Sequence, residues 1–122
     1  MAFQPIVDLR ERRIFAYEAL VRGPQNQSAH SVISAVAPDQ MYGFDQQCRV
    51  RAIESAKGVG LDQTGALLSI NFLPKAVYNP QACIQLTLAT SERLGFPTDR
   101  MIFEFTEAEP FADVAHVRDI VE

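Results

Sequence analysis

The connection between the first two apolar segments limits the folds that this chain can adopt. Residues 3–9 (FQPIVDL) and 14–21 (IFAYEALV) are both predicted strands, and only the polar turn RERR separates them. Two strands joined by so short a turn must be antiparallel, because a parallel crossover needs about a dozen residues or more. The chain is therefore predicted to begin with a β-hairpin.

After this hairpin, predicted strands alternate with predicted helices. In chain order the sequence predicts a short helix that Ser28 or Ser31 caps and that runs to about Val36, a helix over 38–57, a strand over 67–72, a helix over 79–94, a strand over 101–106 and a helix from Pro110. The apolar face of the long helix is marked by Phe44, Cys48, Arg51 or Ala52, and Ser55 or Ala56. Strands that alternate with helices form parallel sheets covered by helices, so we expect an α/β fold with strand 1 antiparallel to the rest.

Composition excludes several classes of protein and partner. The 122 residues suit one domain, and a hydrophobic content of 48% is enough to build a core. We find neither an apolar run of about 18 residues nor a secretory leader, so no membrane segment is predicted in this chain. A net charge of -4, without basic stretches, argues against binding a nucleic-acid polymer. Cys48 and Cys83 show no metal-site spacing, which predicts reduced thiols and a cytoplasmic location.

Charged side chains lie at the end of the second predicted strand. Because side chains alternate faces with a period of two, Glu18, Leu20 and Arg22 are expected to share a face. If the hairpin turns at the midpoint of its connection, Gln4 lies near Ala19. A buried carboxylate and guanidinium are costly unless they have partners, so this strand end is a candidate site.

The third and fourth strands carry polar side chains at the same height. The same periodicity places Ser69 with Asn71, and Glu104 with Thr106, while the large apolar side chains face the helices. Glu18, Asn71 and Glu104 then lie near the carboxyl ends of three successive strands. Parallel α/β folds place their functional sites at such a mouth, so these three side chains are expected to converge.

The chemistry of the three side chains indicates the kind of ligand. Two carboxylates and one carboxamide offer only oxygen donors, which suit Mg²⁺, Mn²⁺ or Ca²⁺ rather than zinc. Arg22 has the geometry to hold phosphate oxygens in a bidentate way. The residues alone leave open the alternative that Asn71 and Glu104 cap neighbouring backbone groups.

Four segments, in order and at characteristic separations, carry a resemblance to a known family. They are FQPIVD (3–8), the E-x-L-x-R pattern from Glu18 to Arg22, SINFLP (69–74) and FEFTE (103–107). Together they resemble the N-terminal half of an EAL domain, the bacterial cyclic di-GMP phosphodiesterase domain. The resemblance implies the first half of a (β/α)₈ TIM-like barrel with one reversed strand, and the hairpin independently makes that strand the first.

The resemblance also implies roles for particular residues. Those implied as metal ligands, for Mg²⁺ or Mn²⁺, are Glu18, Asn71 and Glu104. Those implied to contact cyclic di-GMP are Gln4, Leu20 and Arg22, the last at a phosphate. Glu107 belongs to the motif without an assigned contact. The implied reaction is hydrolysis of one phosphodiester bond of cyclic di-GMP to linear pGpG.

Length limits these expectations, because a (β/α)₈ barrel takes roughly 250 residues. The family's D-D-F-G-type aspartates, its later lysine and its distal glutamate are expected beyond Glu122, so residues 1–122 hold no complete catalytic set. We expect the isolated chain to be inactive, and to associate with itself or with the C-terminal half through its open edges. The alternatives are a non-catalytic EAL-like module that binds cyclic di-GMP or a protein, and an unrelated α/β interaction domain in which Glu18 and Glu104 are structural.

Overall fold

The molecule combines one sheet with helices that cover one of its faces. The computed structural model describes residues 1–72 and 80–105, with side chains for 1–72 and 84–104. In chain order the elements are β1 (Ala2–Asp8), β2 (Arg13–Leu20), α1 (Ala29–Ser34), α2 (Met41–Gly58), β3 (Leu67–Phe72), α3 (Pro80–Leu94) and β4 (Met101–Phe105). The predicted α/β class is confirmed. Thr106 and the predicted helix from Pro110 lie outside the described residues.

The sheet has the topology that the sequence predicts. Its strand order is β1-β2-β3-β4, with β1 antiparallel to β2. The pairs β2–β3 and β3–β4 are both parallel. The reversed first strand is therefore confirmed. The carboxyl ends of β2, β3 and β4 meet at one end of the sheet.

The register of the hairpin differs by one residue from the expectation. Gln4 pairs with Glu18, not with Ala19, and a register shift lies between Ile6 and Val7. Cross-strand partners project to the same face of a sheet, so Gln4 lies directly beside Glu18. The correction brings Gln4 closer to the candidate site than the sequence indicated.

The cause of this difference lies in the turn. Asp8 Oδ1 accepts hydrogen bonds from the backbone N–H groups of Arg10 and Glu11, at 3.0 and 3.1 Å. An aspartate that bonds the backbone two residues ahead fixes a local turn. The turn is thereby centred one residue earlier than the midpoint of the connection. The bulge between the strands then restores one residue of the offset.

The position at which β2 ends is the second difference from the prediction. The strand stops at Leu20, so Val21 and Arg22 lie beyond it. Arg22 Nη1 donates to the Val21 carbonyl at 2.8 Å. Side chains alternate faces only within a strand, so the prediction that Arg22 shares a face with Glu18 does not hold beyond Leu20.

The helices begin and end for local reasons. Ser28 Oγ accepts the N–H of Ser31 at 3.2 Å and caps α1, so Ser28 is the cap of the two candidates. A 3₁₀ turn over Pro38–Gln40 precedes α2. Beyond the end of α2, Gly60 has a φ of 79°, a left-handed conformation that glycine adopts without strain. No helix in the described parts of the chain is long and apolar enough to cross a membrane.

The core lies between the sheet and helix α2. Ala19 of β2 packs with Leu68 and Ile70 of β3 and with residues of the covering helices and turns, namely Ala52, Ile53 and Ala56 of α2, Leu61 of the turn after α2, and Phe96 after α3. The buried face of α2 also includes Asp45 and Arg49. Of the residues that mark the predicted face, Ala52 and Ala56 are buried, Phe44, Cys48 and Ser55 are half-buried, and Arg51, the alternative to Ala52, is exposed. The opposite face of the sheet carries the polar side chains.

Candidate functional site

Two predicted site residues, Glu18 and Asn71, touch each other. Asn71 Nδ2 donates to Glu18 Oε2 at 3.1 Å and to the Ala19 carbonyl at 3.3 Å. Both side chains are half-buried, so they remain within reach of a ligand. The carboxamide therefore links the ends of β2 and β3 and orients the carboxylate of Glu18.

The third predicted residue, Glu104, lies on the same face. Asn71 and Glu104 are register partners on parallel strands β3 and β4. The hydroxyl of Ser69, which is fully buried, donates to Glu104 Oε1. Ser69 in turn pairs in register with Glu18. The alternation of side chains predicts that Ser69 lies on this face but gives it no role, and its contact with Glu104 has no signal in the sequence.

These contacts address the alternative that the polar residues serve only the backbone. Asn71 does reach a backbone carbonyl, but its shorter hydrogen bond goes to the carboxylate of Glu18. Glu104 bonds to a side chain of β3. Two separate side-chain hydrogen bonds, Asn71 to Glu18 and Ser69 to Glu104, thus hold the three side chains on one face near the carboxyl ends of the parallel strands.

The donor set of this group fits a hard divalent cation. It offers carboxylate and carboxamide oxygens, half-buried on one face, which are the ligands that Mg²⁺ and Mn²⁺ prefer. Among the described residues, no three side chains of the types His, Cys, Asp and Glu gather closely enough to hold a metal. The described group therefore offers only part of the ligand set that a divalent cation needs.

A small cavity adjoins this group. Its volume is about 180 Å³, and its lining includes Glu18, Leu20, Asn71 and Asp45. Leu20 thus borders the same cavity as Glu18 and Asn71. Asp45 is 2% exposed, and its presence in this lining was not predicted.

Asp45 is held by a buried arginine. Arg49, which is 0% exposed, forms an ion pair with Asp45 one helical turn away. Its Nε donates to Thr87 Oγ1 of α3 at 3.1 Å. The guanidinium carbon also lies 4.1 Å from the centroid of the Phe72 ring, a cation–π contact. An acid and a base four residues apart usually mark a solvated helix face, so the sequence offered no clear signal for this cluster.

The cluster around Arg49 meets the sheet through Phe72, on the face opposite the polar side chains. Phe72 packs edge-to-face against Phe103, with ring centroids 5.0 Å apart. These two rings directly follow Asn71 and precede Glu104 in the chain. The rear face of the sheet is therefore fixed by aromatic packing at the residues that adjoin two of the three polar side chains.

Cys48 lines the same cavity but is not poised for chemistry. Burial, and secondarily the negative charge of Asp45, raises the pKa of the Cys48 thiol to about 11. The thiol therefore stays protonated at neutral pH, and only a thiolate is a good nucleophile or metal ligand. Cys48 forms no disulfide within the described residues, and the side chain of Cys83 lies outside them.

Arg22 borders a neighbouring and larger cavity. This second cavity has a volume of about 580 Å³ and lies between the segment after β2 and helices α1 and α2. It shares Val21, Phe44 and Cys48 with the smaller cavity. The structure thus places Gln4 and Leu20 next to Glu18, which shares its face of the sheet with Asn71 and Glu104. It places Arg22 in the adjoining cavity.

Comparison with known proteins agrees with this architecture. A family model described as the EAL domain matches residues 1–122. The chain belongs to the EAL domain family. An EAL-family match explains both the mixed sheet and the reversed first strand, because the solved EAL proteins that it resembles share this arrangement over nearly the whole chain.

Several EAL proteins are similar to this chain. A standalone versatile EAL protein from Vibrio cholerae O395, solved in its c-di-GMP bound form, is 55% identical with a TM-score of 0.88, covering 99% of this chain and 50% of that one. Klebsiella pneumoniae BlrP1 in a manganese/cyclic di-GMP complex is 26% identical with a TM-score of 0.84, covering 98% and 30%. The blue light- and temperature-regulated antirepressor BluF of Escherichia coli is 29% identical over 108 residues, covering 88% and 26%. The chain thus spans half or less of the length of these proteins.

Proposed function

We propose that this chain is the N-terminal half of a metal-dependent phosphodiesterase specific for cyclic di-GMP. The intact domain would hydrolyse cyclic di-GMP to linear pGpG in bacterial second-messenger signalling. The observation that carries the proposal is that Glu18, Asn71 and Glu104 lie on one face at the carboxyl ends of three parallel strands, with Asn71 bonded to Glu18 and in register with Glu104. Its relatives from V. cholerae and K. pneumoniae, solved with cyclic di-GMP, support the choice of ligand.

The metal in this proposal is Mg²⁺ or Mn²⁺. Glu18, Asn71 and Glu104 would hold it, and the manganese and calcium complexes of BlrP1 support a divalent ion. When bound, such an ion polarises a phosphate and lowers the pKa of a water. The chain's own contribution is to orient the two carboxylates, since Asn71 and Ser69 each donate a hydrogen bond to one of them.

The other proposed ligand contacts surround this group. Gln4 is exposed directly opposite Glu18, and Leu20 is half-buried in the cavity beside it. Arg22 borders the adjoining larger cavity and would contact a phosphate. All three belong to the segments that carry the resemblance to the family.

We further propose that residues 1–122 alone are inactive. Four strands are about half of a barrel, and the D-D-F-G-type aspartates of the family have no counterpart in this sequence. Two carboxylates are too few to hold two ions and organise a nucleophilic water. The catalytic set would be completed by a C-terminal half of the same domain.

The test is hydrolysis of cyclic di-GMP, followed by chromatography of pGpG. We expect no turnover by purified 1–122 with Mg²⁺ or Mn²⁺, but Mn²⁺ binding that Glu18→Gln weakens. Turnover should arise when the C-terminal half of a related EAL domain is supplied in trans or fused. Turnover by 1–122 alone would refute the proposed inactivity. Absence of both metal and nucleotide binding would refute the proposed function.

A second candidate function is a non-catalytic module that binds cyclic di-GMP or a protein partner. It is favoured by one relative, BluF, which is an antirepressor by name. The same fusion experiment separates the two functions, because the module would bind the nucleotide without hydrolysing it. In either case the proposed location is the cytoplasm.

We also propose that the chain associates with itself or with its second half. β1 and β4 are the two outer strands of the described sheet, and unpaired strand edges promote pairing. Apolar side chains are exposed near the hairpin tip, with Leu9 at 85%, Val7 at 52% and Phe15 at 40%. Sedimentation at several concentrations tests this, and a monomer throughout would contradict self-association.

A further inference from the structure

The larger cavity collects positive charge. Among its lining residues are two arginines, Arg22 from the segment after β2 and Arg51 from α2. No Asp or Glu is among the described residues that line it. The whole chain carries a net charge of -4, so a cavity with two cationic residues and no acidic lining is a local reversal of the overall charge.

Neither guanidinium is neutralised by a carboxylate within the described residues. The ion pairs there involve Arg49 and Lys57 instead. Arg22 is half-buried and bonds to a backbone carbonyl, whereas Arg51 is exposed at the mouth of the cavity. Two cations that border one cavity repel each other unless an anion lies between them. The cavity therefore favours an anionic ligand.

The wall next to Arg22 is preformed. The Gly23 N–H donates to the Gln27 carbonyl at 3.0 Å, and the Asn26 N–H donates to the Gly23 carbonyl at 2.9 Å. A Cβ at Gly23 would lie 2.0 Å from Gln27 Oε1, so a larger residue there would displace the Gln27 side chain that packs against the turn. Arg22 is thus anchored to a rigid turn, which lowers the entropy cost of holding a ligand.

The opposite wall is one face of α2. Gln47, Arg51 and Ser55 are spaced four residues apart and line the cavity together. An arginine flanked by an amide and a hydroxyl offers several hydrogen-bond donors to oxyanions. Arginine is the side chain best suited to bidentate binding of phosphate.

We propose that this cavity binds a phosphate group of a nucleotide between Arg22 and Arg51. Arg51 lies outside the E-x-L-x-R pattern and becomes a further ligand-binding residue. The proposal deepens and rests on the proposed function, in which the nucleotide is cyclic di-GMP. Met1, Val21, Phe44 and Cys48 line both this cavity and the smaller one that Glu18 and Asn71 border, so the two spaces adjoin.

The volume agrees with such a ligand. About 580 Å³ lies within the range of roughly 300–1,000 Å³ that is typical of small-molecule sites. The oxyanion chemistry is shared by a phosphodiester, by the 5′-phosphate of linear pGpG and by inorganic phosphate. Separate titrations with these three probes distinguish the sources.

The experiment is calorimetric titration of 1–122 in EDTA, at low and at moderate salt. We expect Arg51→Ala to weaken cyclic di-GMP binding about tenfold, because a charge-assisted hydrogen bond is lost. Arg51→Lys should recover only part of the affinity, because an ammonium cannot form the bidentate pair. The control is Arg13→Ala, an exposed arginine of the hairpin, which should leave binding unchanged. Arg51→Gln, with a thermal melt, serves if the alanine variant misfolds.

The outcomes separate this inference from the proposed function. Wild-type affinity for cyclic di-GMP in both Arg51→Ala and Arg51→Gln would overturn the inference and leave the proposed function standing. Arg51-dependent binding of pGpG or phosphate, without binding of cyclic di-GMP, would support the phosphate site and refute the proposed function. Failure of wild type to bind any of the three probes would overturn both.

Discussion

Asn71 donates a hydrogen bond from its Nδ2 to Oε2 of Glu18, 3.1 Å away, across the parallel strands β2 and β3. The contact links two candidate ligands that lie 53 positions apart in the sequence. The Asn71 amide is neutral, and it lies between Glu18 of β2, to which it donates, and its register partner Glu104 of β4. Two acidic side chains therefore flank this position without a third negative charge. We therefore expect the stability of the metal-free protein to depend on the amide at this position.

Asn71→Asp tests this dependence. The substitution replaces a donor by a like charge next to Glu18, so the free energy of unfolding in EDTA should fall by about 1–3 kcal/mol. Saturating Mn²⁺ should restore much of the loss, because the cation offsets the added charge. Urea unfolding with and without Mn²⁺ measures both effects.

The matched control for that experiment is Gln25→Glu, an amide-to-acid change at an exposed loop position. It should alter stability little and show no response to Mn²⁺. If Asn71→Asp is as stable as wild type in EDTA, the Asn71–Glu18 contact does not hold the site together.

Ser69→Ala tests the orientation of Glu104. Ser69 is fully buried and donates to Glu104 Oε1, so the variant leaves this carboxylate without its orienting donor. We expect a loss of about 1 kcal/mol in stability and Mn²⁺ affinity about tenfold weaker than wild type. Manganese titration followed by electron paramagnetic resonance measures the affinity.

Two further variants make the Ser69 experiment decisive. Ser34→Ala, at an exposed serine, should change neither quantity. In a Glu104→Gln background, Ser69→Ala should have no further effect on Mn²⁺ binding if the hydroxyl acts through that carboxylate. An undiminished Mn²⁺ affinity in Ser69→Ala alone would argue against the orienting role.

The strand pattern explains why much of this site was predictable. A period of two placed Glu18, Asn71 and Glu104 on one face, and the alternation of elements brought the three strand ends together. The bounds of β3 and α3 also agree with the sequence, because Pro74, Pro80 and the Gly95–Pro97 segment punctuate the chain. Local patterns are reliable where they coincide with strong stop signals.

The misses have a different physical origin. The hairpin register depends on hydrogen bonds from Asp8 to the turn, and the end of β2 depends on where the compact turn after Arg22 begins. The burial of Asp45 and Arg49 depends on partners from β3 and α3 that are distant in sequence. Periodicity alone treats such charges as solvated, because a buried ion pair becomes visible only when its tertiary partners are known.

Arg49→Met probes this buried cluster. Removing the guanidinium leaves Asp45 buried without its ion-pair partner, so we expect a loss of about 3–5 kcal/mol in the free energy of unfolding. The double variant Asp45→Leu with Arg49→Met should recover much of this loss, because no uncompensated charge remains. Urea denaturation of the three proteins checks the prediction.

The matched control for Arg49→Met is a second arginine of α2. Arg51→Met changes an exposed arginine only two positions away in the same helix and should cost little stability. Equal losses in Arg49→Met and Arg51→Met would show that the ion pair and the contact with Phe72 do not stabilise the fold.

The alkylation rate of the Cys48 thiol tests its raised pKa and tests whether a ligand occupies the two cavities that Cys48 lines. Its pKa of about 11 means that the thiolate forms only as the pH approaches 11, so at pH 8 it is about a hundredfold scarcer than for a thiol of pKa 9.0. In a Cys83→Ser background, alkylation by iodoacetamide should be slow at pH 8, accelerate about tenfold per pH unit, and become fast at pH 8 in urea.

Cyclic di-GMP should slow the alkylation further, because Cys48 lines both cavities. Rapid alkylation of the folded protein at pH 7 would contradict the raised pKa, and an unchanged rate with saturating nucleotide would place the ligand elsewhere.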